Sequence, residues 1–131
     1  MISMGKRKTR VFVSFDFDND AKLKTFIIAQ AKNPDSPFEI ENWSLNEPAP
    51  DRTWQQKARQ RIARADVVLV MVGPYTHRAK GVLAEVAIAN QLGIPVRQVI
   101  GYRDTNPTPV RGAGRLYRWS WPTIKTLLTL K

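Results

Sequence analysis

The sequence predicts a three-layer α/β sandwich built around a mostly parallel sheet. Strand-like and helix-like segments alternate along the chain, which is typical of this architecture. Val67–Val72 is an unbroken apolar run rich in valine, as expected of a strand buried on both faces of a parallel sheet. The 131 residues are enough for one domain with a real hydrophobic core but not for two.

The first half of the chain supplies two strands and two helices. Residues 10–15 are predicted to form a strand, and residues 20–32 form a helix whose apolar positions recur at helical spacing. Apolar and acidic residues alternate over residues 37–43, which indicates a half-exposed edge strand. A polar, proline-bearing loop at residues 44–51 leads to a second helix at residues 52–64, with Trp54, Ala58 and Ile62 on its apolar face.

The second half continues the alternation. Gly73 and Pro74 end the central strand, and residues 78–92 form a helix that Gly93 terminates. The next strand is Val96–Ile100, followed by a Pro/Gly-rich stretch, a short strand at residues 116–119 and a C-terminal helix starting near residue 121. Four or five strands at this length fit the flavodoxin-like order 2-1-3-4-5, so we expect the ligand-binding switch point between the first strand and the central strand.

The amino-acid composition excludes several classes of function. The chain has no cysteine, which excludes disulfides, thiolate catalysis and Cys-type zinc sites. A net charge of +10 predicts attraction to anionic partners. The basic residues are spread along the chain and no nucleic-acid-binding signature accompanies them, so we expect no specific nucleic acid.

The amino-terminal segment is basic and is followed by only a short apolar stretch. It therefore matches neither a signal peptide nor a membrane span, and the expected location is the cytoplasm. The predicted organisation is a basic arm at residues 1–9 and a single domain at residues 10–131.

Glu85 is the residue that most needs an explanation. It lies three residues after Val82 and four before Ala89, so it falls on the edge of an apolar helical stripe and close to the carboxyl ends of the strands. A carboxylate there is costly to bury without a partner. Either a basic neighbour (Arg78, Lys80 or Arg97) pairs with it, or a ligand does.

The first strand runs into an acidic turn that contains Asp16, Asp18 and Asp20. The turn suggests a DxD phosphatase or a divalent metal loop, but Ala21 and Ile27 stand where a calcium hand needs Gly and Glu. Because Asp20 directly precedes a helix, we interpret it as the helix N-cap and predict no metal. A response-regulator receiver is excluded because the central strand ends without a phosphoacceptor Asp.

Several segments together carry a family resemblance. They are Val13-Ser14-Phe15 with the acidic turn, residues 33–40, Trp43-Ser44, Glu47-Pro48, Trp54, Ala58-Arg59 with Ile62, residues 65–68, Thr76-His77, Gly81-Val82 and Ala84-Glu85. With this set the chain resembles the TIR-like domains of the Thoeris antiphage defence type, the ThsB-like family. The resemblance covers nearly the whole chain and implies a TIR-like fold.

It also implies an NAD⁺ glycohydrolase or ADP-ribosyl cyclase that needs no cofactor, takes NAD⁺ as substrate and releases a cyclic ADP-ribose-type signalling nucleotide. The partners it implies are a phage-derived trigger, a separate nucleotide-sensing effector and further copies of the chain. The alternative is a TIR-like module that binds a nucleotide or a protein without turnover.

Glu85 matches the position of the key glutamate in TIR enzymes and is the expected catalytic residue. Phe15, Asp16, Tyr75 and His77 follow the first and central strands and are expected to contact the nucleotide, although packing roles are equally compatible with Phe15 and Tyr75. Arg52 or Arg59 is expected to meet the pyrophosphate, and Arg52 is the preferred candidate because Arg59 fits a solvated helix face.

Overall fold

The computed structural model describes residues 8–44 and 51–129. Five strands form one sheet in the order β2-β1-β3-β4-β5, and every adjacent pair is parallel. The strands are β1 (Thr9–Ser14), β2 (Phe38–Trp43), β3 (Val67–Val72), β4 (Val96–Ile100) and β5 (Leu116–Arg118). The predicted fold class and strand order are confirmed.

Helices cover both faces of the sheet. They are α1 (Phe17–Asp20), α2 (Lys22–Ala31), α3 (Arg52–Ala63), α4 (Lys80–Gln91) and α5 (Trp121–Leu128), with a 3-10 turn at Thr76–Arg78. Among the described residues, no helix is long and apolar enough to cross a membrane.

The central strand divides the core in two because successive side chains of a strand point to opposite faces. Val68, Val70 and Val72 pack in one cluster with side chains of α3 and α4. Leu69 and Met71 pack in the other, with side chains of α2 and α5. All six residues of β3 are buried, which explains why its sequence is continuously apolar.

The two core clusters show where the switch point of the sheet lies. Chain segments leaving β1 and β3 enter helices on opposite faces, since α2 packs in one cluster and α4 in the other. The crevice between the carboxyl ends of these two adjacent strands is therefore the expected ligand site of an open α/β sheet.

The helix predicted at residues 20–32 is divided in the structure, and the prediction for Asp20 was wrong. Asp16 is the N-cap of the short helix α1 and its carboxylate accepts a hydrogen bond from the Asp18 backbone N–H. The N-cap of α2 is Ala21, which makes no side-chain capping bond. Asp20 is buried at the end of α1 because its carboxylate has partners in the loops after β3 and β4.

Other boundaries differ by a few residues. The 3-10 turn interrupts the helix predicted at residues 78–92, so α4 begins at Lys80. Strand β1 begins at Thr9, within the predicted basic arm, and β5 ends at Arg118. Residues 45–50 of the predicted loop, and residues 1–7 of the arm, lie outside the described residues.

Candidate active site

Three polar side chains meet at the carboxyl ends of β1 and β2. Ser14 is the last residue of β1, and Ser44 directly follows β2. Glu85 lies in the second turn of α4 and is fully buried. The two serine side chains are also buried, so the three groups face one another away from bulk water.

The Glu85 carboxylate accepts hydrogen bonds from both serines on the same oxygen. Ser14 Oγ lies 2.7 Å from Glu85 Oε1, and Ser44 Oγ lies 2.6 Å from it. Both hydrogen bonds are short, and donors to a carboxylate oxygen favour the charged form of the group over the neutral form. The sequence left the partner of Glu85 open between a basic side chain and a ligand, and the structure shows two serine hydroxyls that neither alternative included.

A backbone amide completes this arrangement. The Phe15 N–H donates to Ser44 Oγ across 3.0 Å, and the Ser44 N–H donates to the Val13 carbonyl across 2.9 Å. Ser44 is thus tied to β1 at two points. A chain of hydrogen bonds runs from the Phe15 amide through the Ser44 hydroxyl to Glu85.

A second polar cluster surrounds Asp20, which is 2 % exposed. Tyr102, in the loop after β4, donates its hydroxyl to Asp20 Oδ1 across 2.6 Å. Thr76 Oγ1 lies 3.4 Å from Asp20 Oδ2 and accepts the Gly73 N–H at 2.7 Å. This Asp20 cluster joins the segments that follow β1, β3 and β4.

Gly73 allows the Asp20 carboxylate to approach the end of β3. A Cβ added at Gly73 would lie 2.3 Å from Asp20 Oδ2, a distance that no real Cβ contact tolerates. The same cluster affects Tyr102, whose pKa is raised well above its ordinary value, first by burial and then by its hydrogen bond to Asp20.

The two predicted contact residues after β1 are engaged within the protein. The Phe15 ring is 2 % exposed, and its centroid lies 4.3 Å from that of Phe17. Its link to Glu85 runs through its backbone N–H and Ser44. Asp16 caps α1 and also accepts a hydrogen bond from Asn19 Nδ2 across 2.7 Å.

The predicted contact residues after β3 are more accessible. Tyr75 is 46 % exposed, and the Arg78 guanidinium lies 4.8 Å from the centre of its ring. His77 is half-buried, and its Nδ1 has no hydrogen-bond partner among residues 8–44 and 51–129. Arg52 is exposed at the first position of α3.

The described part of the chain contains no group of three or more His, Cys, Asp or Glu side chains that could hold a metal ion. Asp16 and Asp20 do not converge on a common point, because one caps a helix and the other faces Tyr102. At the candidate site itself, a buried carboxylate is held by two hydroxyl donors.

Sequence reasoning singled out Glu85 as the expected catalytic residue but assigned no role to Ser14 or Ser44. A signal for both was available, because Ser14 is the second-last residue of one predicted strand and Ser44 directly follows another. Adjacent parallel strands end at the same edge of the sheet, which is also the edge that faces the first turns of the crossover helix.

The parallel sheet and the buried glutamate on the helix after its central strand define a TIR-like α/β domain. Residues 12–104 match the family described as Thoeris protein ThsB, TIR-like domain. The chain belongs to this family and is a TIR-like protein related to Thoeris defence. No curated protein matches it.

Proposed function

We propose that this protein cleaves the N-glycosidic bond of NAD⁺ and releases a cyclic ADP-ribose-type signalling nucleotide in antiphage defence. The observation that carries the proposal is the Glu85 carboxylate, buried beside the carboxyl ends of β1 and β2 and held by two serine hydroxyls. The membership in the Thoeris ThsB family supports the biological setting.

One carboxylate suffices for this chemistry. When the bond between the ribose C1′ and the pyridinium nitrogen breaks, the bonding electrons go to the nitrogen and nicotinamide leaves as a neutral molecule. The leaving group therefore needs no general acid, and the barrier lies in the positive charge that develops on the ribose. Glu85 would stabilise that charge, and electrostatic stabilisation is usually the largest contribution to catalysis.

The attacking group decides the product. Water attacking C1′ gives ADP-ribose after loss of a proton. A ribose or adenine atom of the same molecule forms a ring instead, and a hydroxyl attacker also loses its proton. Cyclisation requires water to be excluded at the moment of attack, and the buried position of Glu85 favours such exclusion.

The remaining residues take supporting roles in this proposal. The exposed ring of Tyr75 is the surface on which nicotinamide or adenine would stack, and His77 would contact the ribose. Arg52 would pair with the pyrophosphate from the start of α3. Phe15 and Asp16 would act indirectly, Phe15 through its amide bond to Ser44 and Asp16 by capping α1.

A phage-derived trigger and a nucleotide-sensing effector complete the proposed system. The assay therefore uses cells that express the protein, sampled before and after phage infection, with NAD⁺ and its products separated by chromatography. We expect infected cells with the wild-type chain to lose NAD⁺ and to accumulate a cyclic product.

Glu85→Gln is the decisive variant because it keeps the size of the side chain and removes its charge. NAD⁺ consumption should fall about 100-fold or more, the scale of losing one electrostatic stabiliser. Glu39→Gln, at an exposed position of β2, is the matched control and should behave as wild type. Full turnover by folded Glu85→Gln would remove Glu85 from the mechanism. A wild-type chain that binds the nucleotide without turnover would favour the non-catalytic module instead.

A further inference from the structure

We infer that Ser14 and Ser44 are positioning residues that hold the Glu85 carboxylate in its reactive orientation. The inference rests on the proposed NAD⁺ cleavage and names two residues to which that proposal gives no role of their own. Both hydroxyls lie within 2.7 Å of Glu85 Oε1, and both side chains are buried.

The sheet itself sets the spacing of the two serines. Val13 of β1 is paired with Trp43 of β2, so Ser14 and Ser44 are the next residues along the two strands. The bond from the Ser44 N–H to the Val13 carbonyl extends the ladder by one step. Rigid strand ends hold catalytic groups more accurately than loops do.

The direction of the Ser44 hydroxyl is determined by its neighbours. Its oxygen already accepts the Phe15 N–H, and its single proton is therefore left to donate to Glu85 Oε1. Ser44 thus donates to the carboxylate whether or not a ligand is present. This fixed donor is a form of preorganisation, because no group has to reorient when charge develops on the substrate.

Two donors on one oxygen restrict the carboxylate in a way that one donor cannot. Together they use both lone pairs of Oε1 and prevent rotation about the last side-chain bond. Oε1 is therefore an atom that holds the group in place. After the loss of one serine the other still holds the oxygen, whereas the loss of both releases it.

Attachment of α4 to the sheet does not require these bonds. Val82, Val86 and Ala89 on the same helix are buried in the core cluster and already fix its position. Burying the three polar side chains of Ser14, Ser44 and Glu85 costs desolvation free energy. Apolar side chains of similar volume would join the helix to the sheet as well or better. The trio is therefore better explained by the chemistry of Glu85.

The test measures kcat and KM for NAD⁺ in Ser14→Ala, Ser44→Ala and the double variant, using protein taken from infected cells in its active form. Each single variant should lose about 10-fold in kcat with KM changed by less than about 2-fold, and the double variant should lose more than the product of the two. Ser44→Thr, which keeps the hydroxyl, should recover most of the activity.

Two controls separate positioning from simple damage to the fold. Ser36→Ala removes a buried hydroxyl that binds the Phe38 carbonyl, far from Glu85 in the chain, and should leave kcat unchanged. In a Glu85→Gln background, Ser44→Ala should change the residual turnover by less than about 2-fold, because the serine acts through the carboxylate. Thermal melting confirms that each variant is folded.

The outcomes are distinct. If the double variant keeps the wild-type kcat while Glu85→Gln is inactive, the role of the serines is wrong and the proposed function stands. Equal losses from Ser44→Ala in the wild-type and Glu85→Gln backgrounds also overturn it. If no form of the chain, wild type included, consumes NAD⁺ in infected cells, the proposed function and the serine roles both fail.

Discussion

The Tyr102 hydroxyl donates a hydrogen bond of 2.6 Å to Asp20 Oδ1, joining two residues that stand 82 positions apart in the chain. The bond connects the loop after β4 to the end of α1. With Thr76 and Gly73 it ties together the segments that follow β1, β3 and β4 at the carboxyl edge of the sheet. The arrangement of these three segments therefore depends on one buried carboxylate.

Tyr102→Phe should destabilise the protein at neutral pH. It removes a donor to a buried carboxylate, and such losses amount to about 1–3 kcal/mol in the free energy of unfolding. Denaturant unfolding at pH 7 measures this difference. Tyr117→Phe, at another half-buried tyrosine, is the control and should change stability less.

The contribution of Tyr102 to the free energy of unfolding should also depend on pH. Because the pKa of Tyr102 is raised in the folded state, the folded protein keeps this proton longer than the unfolded chain does. The stabilisation from Tyr102 is thus fully present below pH of about 10, the value for an unfolded tyrosine, and declines above it. The stability gap between wild type and Tyr102→Phe should therefore be constant from neutral pH to about pH 10 and narrow above it, and a gap at about pH 11 as large as that at pH 7 would contradict the assignment.

Gly73→Ala should also destabilise the protein, because the new Cβ would collide with the Asp20 carboxylate. Overpacking of this kind costs about 1–3 kcal/mol. The cost should shrink in an Asp20→Ala background, where the colliding atoms are gone. Gly81→Ala is the control: its Cβ would meet only Trp54 at 3.7 Å, so this change within α4 should stabilise by about 0.5–1 kcal/mol.

Two substitutions at Glu85 should show whether its negative charge is needed for the stability of the fold. Gln still accepts from the two serines, so we expect Glu85→Gln to unfold within about 1.5 kcal/mol of wild type. Glu85→Ala removes the acceptor and leaves a cavity, and it should cost about 2–4 kcal/mol. Comparable large losses for both variants would mean that the negative charge itself maintains the fold.

The charge of +10 predicts binding to polyanions that depends on salt and not on sequence. Fluorescence anisotropy with two unrelated DNA duplexes should give similar affinities that fall together as salt is raised. Tight binding to only one duplex, persisting at high salt, would instead indicate specific recognition. Sedimentation under the same conditions tests the self-association that the family resemblance implies.

The fold was predictable because most strands and helices have a recognisable pattern of apolar and terminating residues in their own segment of the sequence. The valine-rich apolar run of β3 is typical of a strand buried on both faces, and Gly93 marks the end of the helix that carries Glu85. The confirmed strand order followed from the alternation of strands and helices along the chain.

The candidate site was less predictable because its contacts join distant segments. Asp20 stands just before a helix, which favours an N-cap, and nothing near it in the sequence indicates Tyr102. Ser14 and Ser44 were overlooked for a related reason, since their role depends on the register between β1 and β2. A local sequence pattern identifies a strand or helix, whereas the contact partners of a side chain depend on how the strands are arranged in the assembled sheet.

The all-parallel sheet also has a consequence for the order in which the chain is made. The serines precede Glu85 by 71 and 41 residues, and parallel pairing cannot form until each crossover helix has been synthesised. A nascent chain that ends before α4 carries both hydroxyl donors but not the Glu85 carboxylate. Under the proposed NAD⁺ cleavage, such unfinished copies would be inactive and would not deplete the dinucleotide pool of the cell that makes them.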